Sequence, residues 1–150
     1  MDPIELSSKL IGYRSITPNS SGSIEYLKKL LEKNKFECHL LEFGKSKVKN
    51  LYATIKGGKG PTFCFAGHTD VVPPGDLKKW KTDPFKAVVQ NGKLYGRGSC
   101  DMKAAIAAFI VASMDFLEKN GSKFRGTIAM LFTADEEGEA GDAGAADYSF

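Results

Sequence analysis

PTFCFAGHTD, Pro61–Asp70, is an apolar run that stops at an imidazole and a carboxylate. The uncharged stretch up to Gly67 has the length and phenylalanine content of a buried strand, and it is too short for a helix. His68 and Asp70 then stand where the strand ends. Residues two apart on a strand face the same way. If the strand persists to Asp70, its carboxylate reaches the His68 ring and fixes one nitrogen while the other is free for a metal. Taken alone, the pair reads first as a hydrogen-bonded histidine followed by a turn before Pro73-Pro74.

Working outward, the N-terminal side holds two amphipathic helices. One covers Pro3 to Tyr13, with Ile4, Leu6, Leu10 and Ile11 on its apolar face. The other begins at Ser23, an expected N-cap, and carries Ile24, Leu27, Leu30 and Leu31. FECHLLEF and NLYATIK read as strands, separated from the quoted run by the turn GGKG. On the C-terminal side, Asn91-Gly92 favours a type I′ hairpin turn. Met102 to Asn120 reads as a helix burying Ile106, Phe109, Ile110, Val111, Phe116 and Leu117, ended by Asn120-Gly121. GTIAMLFTA reads as a strand buried on both faces. Helices mixed with buried strands give an α/β fold, a layered sheet with flanking helices.

The totals agree with one soluble domain: 150 residues, 42% hydrophobic, 26% charged and a net charge of +3. That charge is too small to imply a nucleic-acid or membrane partner. The longest uncharged apolar run, AAIAAFIVA, is far short of the ~20 residues a membrane span needs. The N-terminus carries Asp2 and Glu5 and does not read as a secretory signal. Cys38, Cys64 and Cys100 cannot all pair within one chain and show no CxxC spacing, so a reduced, cytoplasmic protein is expected.

Acidic or imidazole groups stand at three places where buried elements stop: His68 with Asp70, Asp101, and Glu136-Glu137. Ligands collect outside the carboxyl ends of strands in open α/β sheets. A site built from these ends is therefore expected. Asp101 precedes a helix, where it serves either as an N-cap or as a carboxylate bridging two cations. GRGSCD lacks the third glycine and the spacing of a phosphate loop, which excludes nucleotide binding. Three successive acids, Asp135 to Glu137, repel one another unless solvent or cations intervene. Neighbours on an extended strand point oppositely, so Glu137 is assigned as ligand and Glu136 as general base toward water. An imidazole with several carboxylates suits Zn²⁺, with Mn²⁺ or Co²⁺ as substitutes. The chemistry expected is amide hydrolysis.

Cys64 and Cys38 read as small core residues, and Cys100 has no histidine tied to it by a motif. Trp80 and Phe85 pack against the hairpin or border a substrate cleft. His39 reads as a surface side chain.

GHTDVVPPGD, WKTDPF, NGKLYGRGSCDMK and TADEEG, in this order, resemble the succinyl-diaminopimelate desuccinylases. These are part of the aminoacylase and carboxypeptidase superfamily of two-zinc amidohydrolases. GSCDMK is also similar to the acetylornithine deacetylases. The resemblance implies His68 as zinc ligand, Asp70 as its orienting partner, Asp101 as bridging ligand, Glu136 as catalytic base and Glu137 as ligand of the second zinc. It further implies an N-acyl amino acid substrate, N-succinyl-LL-diaminopimelate, cleaved to succinate and LL-diaminopimelate on the route to lysine, by a homodimer. Residues 1–138 are expected to be part of the catalytic domain, and 139–150 an atypical tail in which Glu139, Asp142 and Asp147 match no motif. The resemblance also implies an inserted dimerisation domain, a further acidic ligand and a distal histidine, none of which these 150 residues contain. A truncated, frameshifted or hybrid end is expected, with an incomplete metal site. Ala104 stands where the resemblance implies glycine. The competing expectation is an inactive fragment or a metal-binding module.

Overall fold

The computed structural model describes residues 1–121 and 123–138. Helix α1, Pro3–Ile11, opens where the Asp2 carboxylate accepts the Ile4 N–H at 2.7 Å, with Pro3 in its first turn. Helix α2 covers Ser23–Lys33, but Ser23 does not cap it. Gly22 precedes the helix in the left-handed region, at φ 91°. The Ser23 hydroxyl instead donates to the Ser20 carbonyl at 2.8 Å and lies 3.0 Å from Thr69 Oγ1. A buried loop claimed the hydroxyl that the sequence pattern assigned to the helix.

The strands are β1 (Glu37–Phe43), β2 (Val48–Gly58), β3 (Thr62–His68), β4 (Val88–Gln90), β5 (Lys93–Tyr95) and β6 (Gly126–Thr133); helix α3 spans Ala104–Asn120. Four strands form one sheet in the order β1-β2-β6-β3. Both β1 and β6 run antiparallel to β2, and β3 runs parallel to β6. Strands β4 and β5 make a separate hairpin, with Asn91 and Gly92 both at positive φ, as a type I′ turn requires. The α/β expectation, a sheet with flanking helices, holds.

One face of the sheet supplies the core. Leu51 pairs with Phe132 and Ala53 with Met130, and these four pack with Leu10, Leu27, Leu31, Ile106 and Ile110, all without solvent exposure. At ~25 cal/mol per Å² of apolar surface, a buried leucine contributes about 2 kcal/mol. β6 is central and mostly buried, as its unbroken apolar run predicts.

The expectation of burial fails for β3. Among the described residues it pairs only with β6, and Phe63 is 65% exposed while Cys64 is exposed, not a core residue. Phe116, expected inside, is 40% exposed and meets the Phe124 ring edge-on. Apolar composition records that a segment tolerates burial; the neighbours that would bury it are a tertiary matter. Cys38 is half-buried beside the core, and His39 is exposed next to Glu37. Among the described residues, no helix is long and apolar enough to cross a membrane.

The parallel pairing is what matters for the site. It sets His68 opposite Thr133, so β3 and β6 end side by side. At the other end of the pair, Gly126 at φ 94° lets the backbone approach Pro61, whose carbonyl accepts the Thr127 N–H at 3.0 Å.

Candidate metal centre

Asp70 ties the two strand ends together. It is fully buried, and its Oδ2 accepts the backbone N–H groups of both Glu136 and Glu137 at 3.0 Å each. The glutamates lie in a bend beyond β6, not on the extended strand. Strand alternation therefore does not sort their roles, and the convergence of their N–H groups on Asp70 replaces it. Asp135 anchors the same bend by accepting from the Thr17 hydroxyl at 2.9 Å. A Cβ at Gly138 would sit 2.2 Å from Asp135 Oδ1, so any larger residue there requires the Asp135 carboxylate to move.

His68 is 4% exposed. Its Nδ1 lies 3.1 Å from the Asp70 main-chain carbonyl and 3.6 Å from Asp70 Oδ1. The orienting contact expected of the Asp70 side chain is thus made most closely by its backbone, with the carboxylate behind it. Both neighbours are acceptors, so Nδ1 carries a proton, and Nε2 is the nitrogen that would offer its lone pair to a cation. Nε2 faces Asp101 Oδ1 at 3.1 Å and Glu136 Oε2 at 3.7 Å. His68, Glu136 and Glu137 can bring donor atoms within 4.8 Å of one another, and Asp101 stands on the other flank of Nε2.

Asp101 is not the helix cap. Ser99–Lys103 forms a wide turn in which Asp101 (φ −129°, ψ 102°) and Met102 (φ −133°, ψ 28°) leave helical backbone, and α3 starts only at Ala104. The non-helical conformation turns the carboxylate toward His68, so the capping role does not hold.

The electrostatics describe an acidic nest. Burial disfavours the imidazolium of His68, but the Asp70 carboxylate and carbonyl, with Asp101, outweigh it and raise the pKa to about 9. Burial also opposes the Asp70 charge; His68 and the two N–H donors overcome it and lower the Asp70 pKa. Glu137 is raised, first by burial and then by Asp101, Glu136 and Asp70, with His68 opposing. One Asp70 oxygen, Oδ1, is buried without a hydrogen-bond partner. An imidazole beside crowded carboxylates is a set of ligands that suits a divalent cation, which would take the place of the Nε2 proton. Next to it, a cavity of about 210 Å³ is walled by Ala66, Gly67, Met102 and Leu131, with His68 and Glu136 at its edge.

Pattern reasoning passed over Lys103, which is fully buried and donates from Nζ to the Tyr13 carbonyl at 2.9 Å. Burial lowers its pKa to about 8 against the opposing pull of Asp70. Its position two residues beyond Asp101, at the start of an apolar helix, was the available signal. Cys100 is exposed. Trp80 donates from Nε1 to the Pro74 carbonyl and borders a cavity that Leu94 and Tyr95 of the hairpin also line, while Phe85 lies under Arg14. Glu139, Asp142 and Asp147, with the rest of the expected tail, lie outside the described residues.

A fold that gathers His68, Asp101 and two glutamates at adjacent strand ends defines a class, and residues 64–149 match the model of peptidase family M20/M25/M40. The chain belongs to that family, which implies divalent-metal dependence. Within it, the chain is 53% identical over 137 residues to succinyl-diaminopimelate desuccinylase of Wolbachia pipientis subsp. Culex pipiens, covering 91% of this chain and 34% of that protein. It is 51% identical over 142 residues to the desuccinylase of Rhodospirillum centenum, covering 93% and 36%. The chain thus spans about a third of the length of the curated relatives it matches. Among solved structures, the M20 family metallo-carboxypeptidase Sso-CP2 from Sulfolobus solfataricus superposes with a TM-score of 0.81 at 26% identity, over 91% of this chain and 32% of that one. Human carnosine dipeptidase 1 shares the fold, with a TM-score of 0.78 at 22% identity over 92% of this chain and 32% of that one.

Proposed function

We propose that this chain carries the N-terminal part of a two-zinc desuccinylase site that hydrolyses N-succinyl-LL-diaminopimelate to succinate and LL-diaminopimelate. The observation that carries the reading is the His68 ring, held at Nδ1 by Asp70 and facing Asp101 and the glutamate pair from Nε2. His68, Asp101 and Glu137 are the proposed ligands, with Asp101 bridging two ions and Co²⁺ or Mn²⁺ able to replace zinc. Bound ions would supply Lewis acidity toward water and the scissile carbonyl. Asp70 keeps the His68 tautomer and fixes the glutamate bend. Glu136, whose side chain is 57% exposed at the cavity edge, is the more accessible glutamate and the proposed general base. It takes a proton from water as the water oxygen bonds to the carbonyl carbon. It then returns that proton to nitrogen as the C–N bond breaks. A homodimer in the cytoplasm belongs to the same proposal.

Three protein ligands complete one zinc site with an open position but not two such sites. That count favours a second reading, a metal-binding segment without turnover of its own. Zinc content by mass spectrometry and release of LL-diaminopimelate, with N-acetylornithine as the comparison substrate, separate the two. Glu136→Gln should lower turnover by about 10²–10⁴-fold, the usual worth of a positioned base, while zinc stays bound. An unchanged rate removes Glu136 from the chemistry, and zinc without turnover in the parent chain supports the second reading.

A further inference from the structure

The chain's single tryptophan stands in the wall of a second cavity, of about 540 Å³, which the proposed metal chemistry does not use. That volume suits a small ligand. The loop carrying Lys79 and Lys81 forms one side, and Tyr95 of β5 with Ser99 forms the other. Trp80 is held in place by its Nε1, which donates to the Pro74 carbonyl at 2.9 Å. Arg97 lies over the indole, its guanidinium carbon 5.3 Å from the ring centroid. Its Nη2 reaches the Pro73 carbonyl only at 3.4 Å, and its Nε is buried with no acceptor.

Charge around this cavity is unbalanced. Among the described residues, Lys79, Lys81 and Arg97 have no ion-pair partner. Of the described residues on the lining, Asp76 alone is acidic, and its Oδ1 already accepts the Lys78 N–H at 3.0 Å. Asp83, the next acid along the chain, faces Arg14 at 3.9 Å. The surplus of cations gives the cleft a positive potential, while Trp80 and Leu94 give it apolar walls. Such a surface recognises an anion with an apolar body. Ser99 is two residues from Asp101, so their Cα atoms are at most about 7 Å apart. The cleft therefore opens beside the proposed metal centre.

We infer that this cleft binds a small carboxylate with an apolar stem, Lys79 and Lys81 meeting the carboxylate and Trp80 the stem. The acyl tail of a substrate and a free dicarboxylate share that chemistry. The site needs no metal, so it stands or falls apart from the metal-site reading above.

Trp80 is its own reporter, since the chain has no other tryptophan to mask it. Succinate is titrated into the metal-free chain at constant ionic strength, with succinamide as the uncharged counterpart. Trp80 emission should change saturably with succinate and not with succinamide. Lys79→Gln and Lys81→Gln should each weaken succinate binding about three- to fivefold, near the upper worth of an exposed charge pair, and the double variant about tenfold or more. Lys59→Gln removes an exposed lysine from the bend before β3 and should change affinity less than about twofold. Emission that never saturates, an equal response to succinamide, or parent-like affinity in the double variant overturns the inference. So does a loss in Lys59→Gln as large as in the cleft variants. The zinc-loaded Glu136→Gln chain then tells the two sources apart. Binding of N-succinyl-LL-diaminopimelate about tenfold or more tighter than succinate supports a substrate tail reaching in from the metal, and equal affinity supports a site for free dicarboxylates.

Discussion

Asp70→Asn probes the hub of the site with one atom changed. The carboxylate accepts two N–H groups through Oδ2 and backs the His68 Nδ1–H from Oδ1 at 3.6 Å. An asparagine can keep both backbone bonds only by placing its oxygen at the Oδ2 position. Its NH₂ then opposes the Nδ1–H, donor against donor, while the Asp70 main-chain carbonyl still holds the ring from 3.1 Å. Bonds to an ionised acceptor are roughly twice as strong as neutral ones, so the two N–H contacts lose about 1 kcal/mol each. Removing a buried charge returns part of that cost. Net destabilisation should be about 1–2 kcal/mol. Zinc affinity should fall about 10–100-fold, the usual effect of losing the partner behind a ligating histidine. In the metal-free chain, the His68 titration near 9 should move down, since Asp70 is the chief group raising it. With two histidines in the chain, NMR assigns it readily. A folded Asp70→Asn protein that binds zinc within threefold of the parent, with His68 titrating unchanged, would refute the hub argument.

Metal-free stability should depend on pH through His68. Its folded pKa of about 9 lies above the unfolded value near 6.5. The folded state therefore binds the extra proton, and His68's contribution, present in full below 6.5, is lost as pH rises toward 9, up to roughly 3 kcal/mol. Lys103, lowered to about 8, works the other way between 8 and its ordinary value of 10.5, so the fall should be clearest between 6.5 and 8. Urea midpoints in chelator check this, and a His68→Gln variant with the parent's slope would count against it. Gly126→Ala should cost 2 kcal/mol or more, an estimate of about that size for strain at φ 94°. Its Cβ would also meet the Pro61 carbonyl at 2.2 Å, and a melting temperature within a degree of the parent would contradict the close approach. Phe63→Asp should cost less than about 1 kcal/mol, as surface changes do, yet reduce self-association through the exposed β3 edge. Unchanged light scattering at high concentration would show that this edge is not the sticky surface.

Much of the fold was legible in the sequence because local rules act locally. The Asn91-Gly92 turn, the apolar spacing of Leu27 and Leu31, and the unbroken run of β6 each state their own conformation. The acidic and imidazole groups at element ends were legible for the same reason, since a charge cannot continue a buried run. Burial of β3 was misread, because a strand's composition does not say how many neighbours it has. The roles of Asp101 and Ser23 also stood beyond the sequence. A residue before a helix can cap it or turn away, and only contacts with His68 and Thr69, 33 and 46 residues distant, decide which.

By itself, then, the sequence determined which groups are available and where each element stops. The tertiary structure decided which of them meet. Parallel pairing of β3 with β6 places His68 beside Thr133 and hence beside the glutamate bend, and a buried Asp70 joins the two. The reason is range: backbone preference and apolar period act over a few residues, whereas a metal site is a convergence of charges whose mutual repulsion only a packed core can enforce.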